Sequence, residues 1–216
     1  MAHSQQALIL APSNAGCWYC KGCTLADLGR YQEALDAYDH TLTLNPNYTD
    51  AWSNKGEAFK ALGRYEEALI ACNRALNLDP NHIDAWNNKG SVLADLGRYE
   101  EALDAYDHAL VLNPNDVLAW FNKGNVLYAL EQYEKALATY DRVLVLDPNH
   151  IDAWNNKGIV LSYFGRFEEA LATYSRVLTL DPNHVNAWNN KGVILRMLGN
   201  LSEAEVAERR ARKLSG

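Results

Sequence analysis

Five asparagines stand at equal spacing: Asn54, Asn88, Asn122, Asn156 and Asn190 are each 34 residues from the next. A primary amide offers both a donor and an acceptor. That is the complement of a peptide unit, whatever side chains the peptide carries. A row of amides on one surface could therefore hold an extended chain by its backbone. Asparagine is also a poor helix-interior residue, worse than alanine by roughly 0.6 kcal/mol. A row of them needs tertiary contacts or function to explain it. A second row runs beside the first at Asp50, Asp84 and Asp152, with Asn186 in the same register and Leu118 interrupting it. Those carboxylates could anchor peptide amides or basic side chains, or act as first-turn acids at helix starts. The structural alternative for the asparagines is bonding between neighbouring helices, copied along the chain with everything else.

Both rows belong to a repeat. Tryptophan recurs at 18, 52, 86, 120, 154 and 188, and proline at 12, 46, 80, 114, 148 and 182. A fixed period of this size is the signature of a stacked array whose repeats touch only their neighbours. Six units follow, at 15–48, 49–82, 83–116, 117–150, 151–184 and 185–216. Residues 1–14 read as the remnant of a preceding repeat helix or an N-terminal cap, because Ala7-Leu-Ile-Leu-Ala-Pro12 aligns with Thr41-Leu-Thr-Leu-Asn-Pro46.

The third unit shows the internal logic. Asn81 can cap its first helix, with Asp84 as a short capping-box partner. Trp86, Gly90 and Leu93 form an apolar stripe at helical spacing. Gly97 ends the helix, where a left-handed residue is needed. A second helix opens at Tyr99, and Pro114 forbids its continuation. Glycine at position 8 and alanine at position 20 of each unit (Gly90 and Ala102 here) let the paired helices approach closely. One such hairpin cannot bury its own apolar faces, and stacking supplies the rest of the core.

Trp, Gly, Leu, Ala, Tyr, Ala and Pro at unit positions 4, 8, 11, 20, 24, 27 and 32 resemble the tetratricopeptide repeat (TPR) over 15–216. The resemblance implies an all-α, right-handed solenoid of six helix-turn-helix repeats. Two departures stand out: Glu131 replaces the turn glycine of unit four, and Cys72 replaces the tyrosine of unit two. In unit six, Glu205, Glu208 and Arg212 stand where unit three has Leu103, Tyr106 and Leu110. This predicts a charged, solvating C-terminal helix. The array is thus expected to finish at its C-terminal end and to look cut at its start.

Positions 2, 6, 9 and 13 of each first helix share a face, which in TPR arrays lines the concave groove. The asparagine row lies on it and resembles the asparagine ladder in the TPR region of O-linked N-acetylglucosamine transferases. The sequence has no glycosyltransferase domain, so only the binding mode would carry over. The remaining groove residues differ between units, where selectivity would sit. The front units supply Asp27, Glu57, Lys60 and Asp95. The back units supply Phe121, Asn125, Tyr128, Ile159, Tyr163, Val193 and Met197. A guest basic in its front half and apolar in its back half is expected, or else a groove that tolerates drift. The lysine pair of a carboxylate-clamp TPR is missing at groove positions 2 and 5. Lysine recurs at position 7 (Lys21, Lys55, Lys89, Lys123, Lys157, Lys191), on the packed side, where it must snorkel or find a carboxylate.

Cys17, Cys20 and Cys23 share CxxCxxC spacing, but the stretch is helical in pattern and lacks a fourth ligand, so free thiols and a reducing compartment are expected. His82, His150 and His184 repeat because the array does, and stacked copies are too far apart to share a metal. The net charge of −7 opposes nucleic-acid binding, and no apolar run approaches the ~18 residues of a membrane span. No nucleophile motif, paired carboxylates or phosphate loop stands out. The sequence therefore reads as a cytoplasmic, non-enzymatic peptide-binding scaffold without cofactor or metal. The alternative is a structural spacer, or a fragment of a larger multidomain protein, that self-associates through the face around Cys17 and Trp18.

Overall fold

A computed structural model describes residues 13–215, and they form twelve helices and no strand. In chain order these are α1 (Ala15–Asp27), α2 (Tyr31–Leu44), α3 (Thr49–Ala61), α4 (Tyr65–Leu78), α5 (Ile83–Asp95) and α6 (Tyr99–Leu112). There follow α7 (Val117–Ala129), α8 (Tyr133–Leu146), α9 (Ile151–Tyr163), α10 (Phe167–Leu180), α11 (Val185–Met197) and α12 (Leu201–Ser215). The repeat remnant expected at 1–14 lies, apart from Ser13 and Asn14, outside the described residues. The chain forms two compact units that divide between Ala119 and Trp120, within α7.

Each hairpin is closed by a left-handed turn residue. Gly97 holds φ at 72° after α5, and Glu131 holds 58° after α7. A side chain in that region costs about 1–2 kcal/mol. The neighbouring turns are braced by an arginine paired with a glutamate three residues on, as in Arg98–Glu101 at 2.6 Å. Unit four has Gln132 and Lys135 there instead, joined at 2.8 Å. Glu131→Gly should therefore raise the urea midpoint, by about 0.5–1 kcal/mol once the greater freedom of glycine in the unfolded chain is subtracted. An unchanged or lower midpoint would show that the turn carries no strain.

The start of α5 corrects the sequence reading. The Asp79 carboxylate accepts the Asn81 N–H at 2.9 Å, so Asn81 belongs to the turn after proline. The cap is His82, whose Nδ1 accepts the Ala85 N–H at 3.2 Å. His150 and His184 cap α9 and α11 in the same way. The recurrent histidines thus have a structural use.

The signature residues build the interior. The tryptophan Nε1 donates to the carbonyl of the proline six residues earlier, from Trp52 to Pro46 and from Trp154 to Pro148 at 2.9 Å. The position-7 lysine lies over the ring of the same tryptophan, at 4.7 Å for Lys21 and 5.9 Å for Lys191. Its ammonium then meets position 25 of the preceding hairpin: Lys55 pairs with Asp39, Lys157 with Asp141 at 2.6 Å, and Lys191 with the Ser175 hydroxyl at 3.1 Å. The partner is a carboxylate or hydroxyl, and the stem snorkels along the indole. Tyr38, Tyr106, Tyr140 and Tyr174 are each 1 % exposed and lie against the position-8 glycines. In α12, Glu205 and Arg212 face solvent, and Glu208 pairs with Arg196 at 2.8 Å.

Candidate groove and its cavities

The five asparagines are all half-buried on their first helices. Asn54 and Asn88 turn their amides in the same way. Asn54 donates from Nδ2 to the Tyr19 hydroxyl at 3.1 Å and approaches Cys23 Sγ at 3.4 Å. It also hydrogen-bonds the buried Tyr38 hydroxyl. Asn156 likewise hydrogen-bonds the Tyr140 hydroxyl, and Asn190 that of Tyr174. In these three pairs the position-6 amide of one unit sits on the position-24 phenol of the unit before it. Burial holds each of these phenols above its ordinary value, and the asparagine hydrogen bond works in the opposite direction.

Unit two tests this relation, because Cys72 stands where the phenol should be. Asn88 there turns its Nδ2 to Ser53, at 3.2 Å from the hydroxyl and 3.4 Å from the carbonyl. The amide keeps its direction although its partner changes. In both Asn54 and Asn88 the Oδ1 accepts no hydrogen bond among the described residues and reaches solvent. Asn156 differs: Nδ2 donates to Asn125 Oδ1 at 2.9 Å, and its own Oδ1 accepts from Asn155 at 3.3 Å.

The aspartate row is exposed, and Asp50 has a structural bond. Its carboxylate lies 2.9 Å from His82 Nε2, so it orients the imidazole that caps α5. Asp84 and Asp152 are exposed in the first turns of α5 and α9. Phe121 is half-buried, tilted against His150 at 4.6 Å and Tyr140 at 6.3 Å. It is thus packed rather than projecting. Tyr128 and Tyr163 are 38 % and 66 % exposed.

Two cavities open among these residues, one in each compact unit. The first, about 300 Å³, is lined by Cys23, Asp27, Tyr31, Tyr38, Asn54 and Glu57, with Ala26 and Ala58. Asp27 and Glu57 are exposed and make no ion pair among the described residues, whereas Lys60 is taken by Asp95 at 3.5 Å. The second, about 260 Å³, is lined by Asn125, Tyr128, Tyr140, Asn156 and Ile159. Four sequence-predicted groove residues, Asn125, Tyr128, Asn156 and Ile159, meet there. Sequence reasoning missed Tyr31 and Tyr133. Both stand at position 17, which reads only as the start of a second helix. Tyr133 lies 4.3 Å from Tyr163 and 5.5 Å from Tyr128, centroid to centroid.

Cys17, Cys20 and Cys23 lie along α1 as free thiols, Cys20 exposed, and Cys72 is buried. Among the described residues no group of three or more His, Cys, Asp or Glu side chains is placed to hold a metal ion. No helix among them is long and apolar enough to cross a membrane. Trp18, on the face proposed for self-association, is half-buried and stacked on His40 at 4.2 Å.

The tetratricopeptide-repeat family model matches residues 19–83, 84–151 and 155–216. No curated protein matches the chain. Among solved structures, YrrB, described as a TPR protein with an unusual peptide-binding site, is 27 % identical with a TM-score of 0.64, over 85 % of this chain and 95 % of YrrB. MamA from Desulfovibrio magneticus RS-1 is 23 % identical with a TM-score of 0.71, over 77 % of this chain and 94 % of that one. PilW, a widely conserved type IV pilus biogenesis factor, is 20 % identical with a TM-score of 0.84, over 92 % of each chain. At these identities the last two show the fold alone.

Proposed function

The chain belongs to the tetratricopeptide-repeat family, and from that premise we propose that it is a non-enzymatic interaction module. It grips an extended segment of a partner protein through its row of asparagine amides. The observation that carries this reading is the shared orientation of Asn54 and Asn88. Their donors are spent on the scaffold and their acceptors are left toward water. Such oxygens are held in place before the guest arrives, so accepting guest N–H groups costs little side-chain entropy. The ladder of the O-linked N-acetylglucosamine transferases offers the same backbone-directed chemistry. YrrB supports a peptide-binding reading at the level of the family.

The two cavities support a guest of mixed character. Asp27 and Glu57 beside the Tyr31 and Tyr38 rings suit a lysine or arginine side chain in the first unit. Tyr128, Tyr163, Val193 and Met197 offer apolar surface in the second. Free thiols on α1 suit a reducing compartment and support a cytoplasmic location.

Screening a peptide array, then repeating it with Asn54→Ala and Asn88→Ala, tests the reading. Each substitution should weaken the captured peptides by about tenfold, with an unchanged helical circular-dichroism spectrum. High salt should weaken the basic peptides further. Unchanged binding in both variants would remove the ladder. A spacer would instead bind no peptide and would grow in scattering mass with concentration.

A further inference from the structure

The second cavity differs from the first in what hydrogen bonding it leaves to a guest. Asn125 Oδ1 is doubly occupied, by the Tyr140 hydroxyl at 2.9 Å and by Asn156 Nδ2 at 2.9 Å. Asn156 has both amide ends engaged, through Asn125 and Asn155. The remaining group is Asn125 Nδ2, which donates to nothing among the described residues and reaches solvent. The cavity therefore offers a donor, with two aromatic rings and Ile159 around it and no charged side chain in its lining.

Tyr128 connects this cavity to an aromatic ridge. Its ring meets Tyr133 edge-on at 5.5 Å. Tyr133 in turn lies 4.3 Å from Tyr163 and 6.3 Å from Phe164. Tyr163 and Phe164 are 66 % and 37 % exposed. Four rings drawn from α7, α8 and the C-terminal end of α9 thus form a surface held together by mutual contact. That arrangement is pre-ordered, and it is more than scattered exposed apolar side chains.

We infer that the cavity and ridge together bind a proline-rich segment in the polyproline II conformation. The inference rests on the peptide-binding reading above and names the guest chemistry at its back half. A proline-rich chain exposes carbonyl oxygens and few N–H groups, so a site that can donate and does not ask for a guest donor complements its dipoles. A guest strand with ordinary N–H groups would find both amide oxygens of this lining already engaged and only phenol hydroxyls left to accept them. Flat pyrrolidine rings at three residues per turn stack on aromatic grooves, and the guest is already stiff, so little entropy is lost on binding. The front cavity is the reverse case: Asn54 presents an acceptor there, which calls for an N–H group in the guest.

The test uses fluorescence anisotropy with the full chain and a labelled peptide of repeated Pro-Pro-Leu. A second probe replaces each proline with alanine. The proline probe should bind at least about tenfold more tightly than the alanine probe. Tyr163→Ala removes an exposed ring. Asn125→Asp keeps the acceptor for Tyr140 and Asn156 but replaces the donor with a second oxygen. Each should weaken the proline probe by about tenfold, with the thermal melt reporting that the fold is intact. Equal binding of both probes, or full proline binding in both variants, overturns the inference. If arrayed basic peptides bind through Asn54 and Asn88 while the proline probe does not, the proline assignment alone fails. If neither binds, the peptide-binding reading fails with it.

Discussion

Gly158→Ala is expected to destabilise the second compact unit by about 2–3 kcal/mol, whereas Gly192→Ala leaves it nearly unchanged. Both glycines are buried at position 8 of a first helix, where alanine would ordinarily gain about 1 kcal/mol through helix propensity. The difference lies in what faces them. A Cβ on Gly158 would stand 2.6 Å from Tyr174 Cε1. That ring is 1 % exposed, with its hydroxyl near Ser162 and Asn190, so it has nowhere to retreat. A Cβ on Gly192 would meet Glu208 Cγ at 2.9 Å. Glu208 is flexible and only half-buried, and its carboxylate already reaches outward to Arg196. Urea unfolding of the two variants checks the pair. Equal losses would mean that the glycine serves the helix backbone, and that the tyrosine contact is incidental.

The repeat and its helices were legible because periodicity is a property of sequence. The turn geometry followed as well: Glu131 had to take the left-handed position of its missing glycine, and it does. What could not be read was direction. An asparagine row says that amides share a face, but not which end of each amide the scaffold uses. That depends on the side chains of the unit before: Asn54 donates to Tyr19 and Asn88 to Ser53, both at position 5 of the preceding unit. The lysine partners were hidden for the same reason, since Asp39 and Asp141 belong to the preceding hairpin. Helix starts were misread by one residue because an Asx turn after proline and a helix cap use the same residue types. The aromatic ridge escaped because Tyr133, Tyr163 and Phe164 come from two units and meet only through the packing of their helices.

The phenols that anchor the asparagine row should also make the protein sensitive to alkali. Tyr38, Tyr106 and Tyr140 are held far above the ordinary phenol value of about 10, chiefly by burial. Tyr174 is shifted the same way. A raised folded value means that the folded chain keeps a proton that the unfolded chain releases. Their contribution is therefore intact below pH ~10 and is lost as the pH rises beyond it. Each phenol that stays protonated costs about 1.4 kcal/mol at one unit above the unfolded value. The decline should begin earlier, near pH ~9, because burial pushes the Cys72 thiol up to about 12. Lysine pairs such as Lys157–Asp141 also weaken in this range, so the test needs a variant that changes a phenol alone. Tyr140→Phe loses the hydrogen bond to Asn125 and should be about 1 kcal/mol less stable than wild type at pH 7. It no longer has a phenol to keep protonated, so its stability should fall more slowly above pH ~10 and match or exceed wild type by pH ~11. Lysine effects are common to both proteins and cancel in that comparison. Parallel denaturation curves across the whole range would mean that the hydroxyl ionises freely in the folded chain, and that the Asn125–Tyr140–Asn156 cluster is open to water.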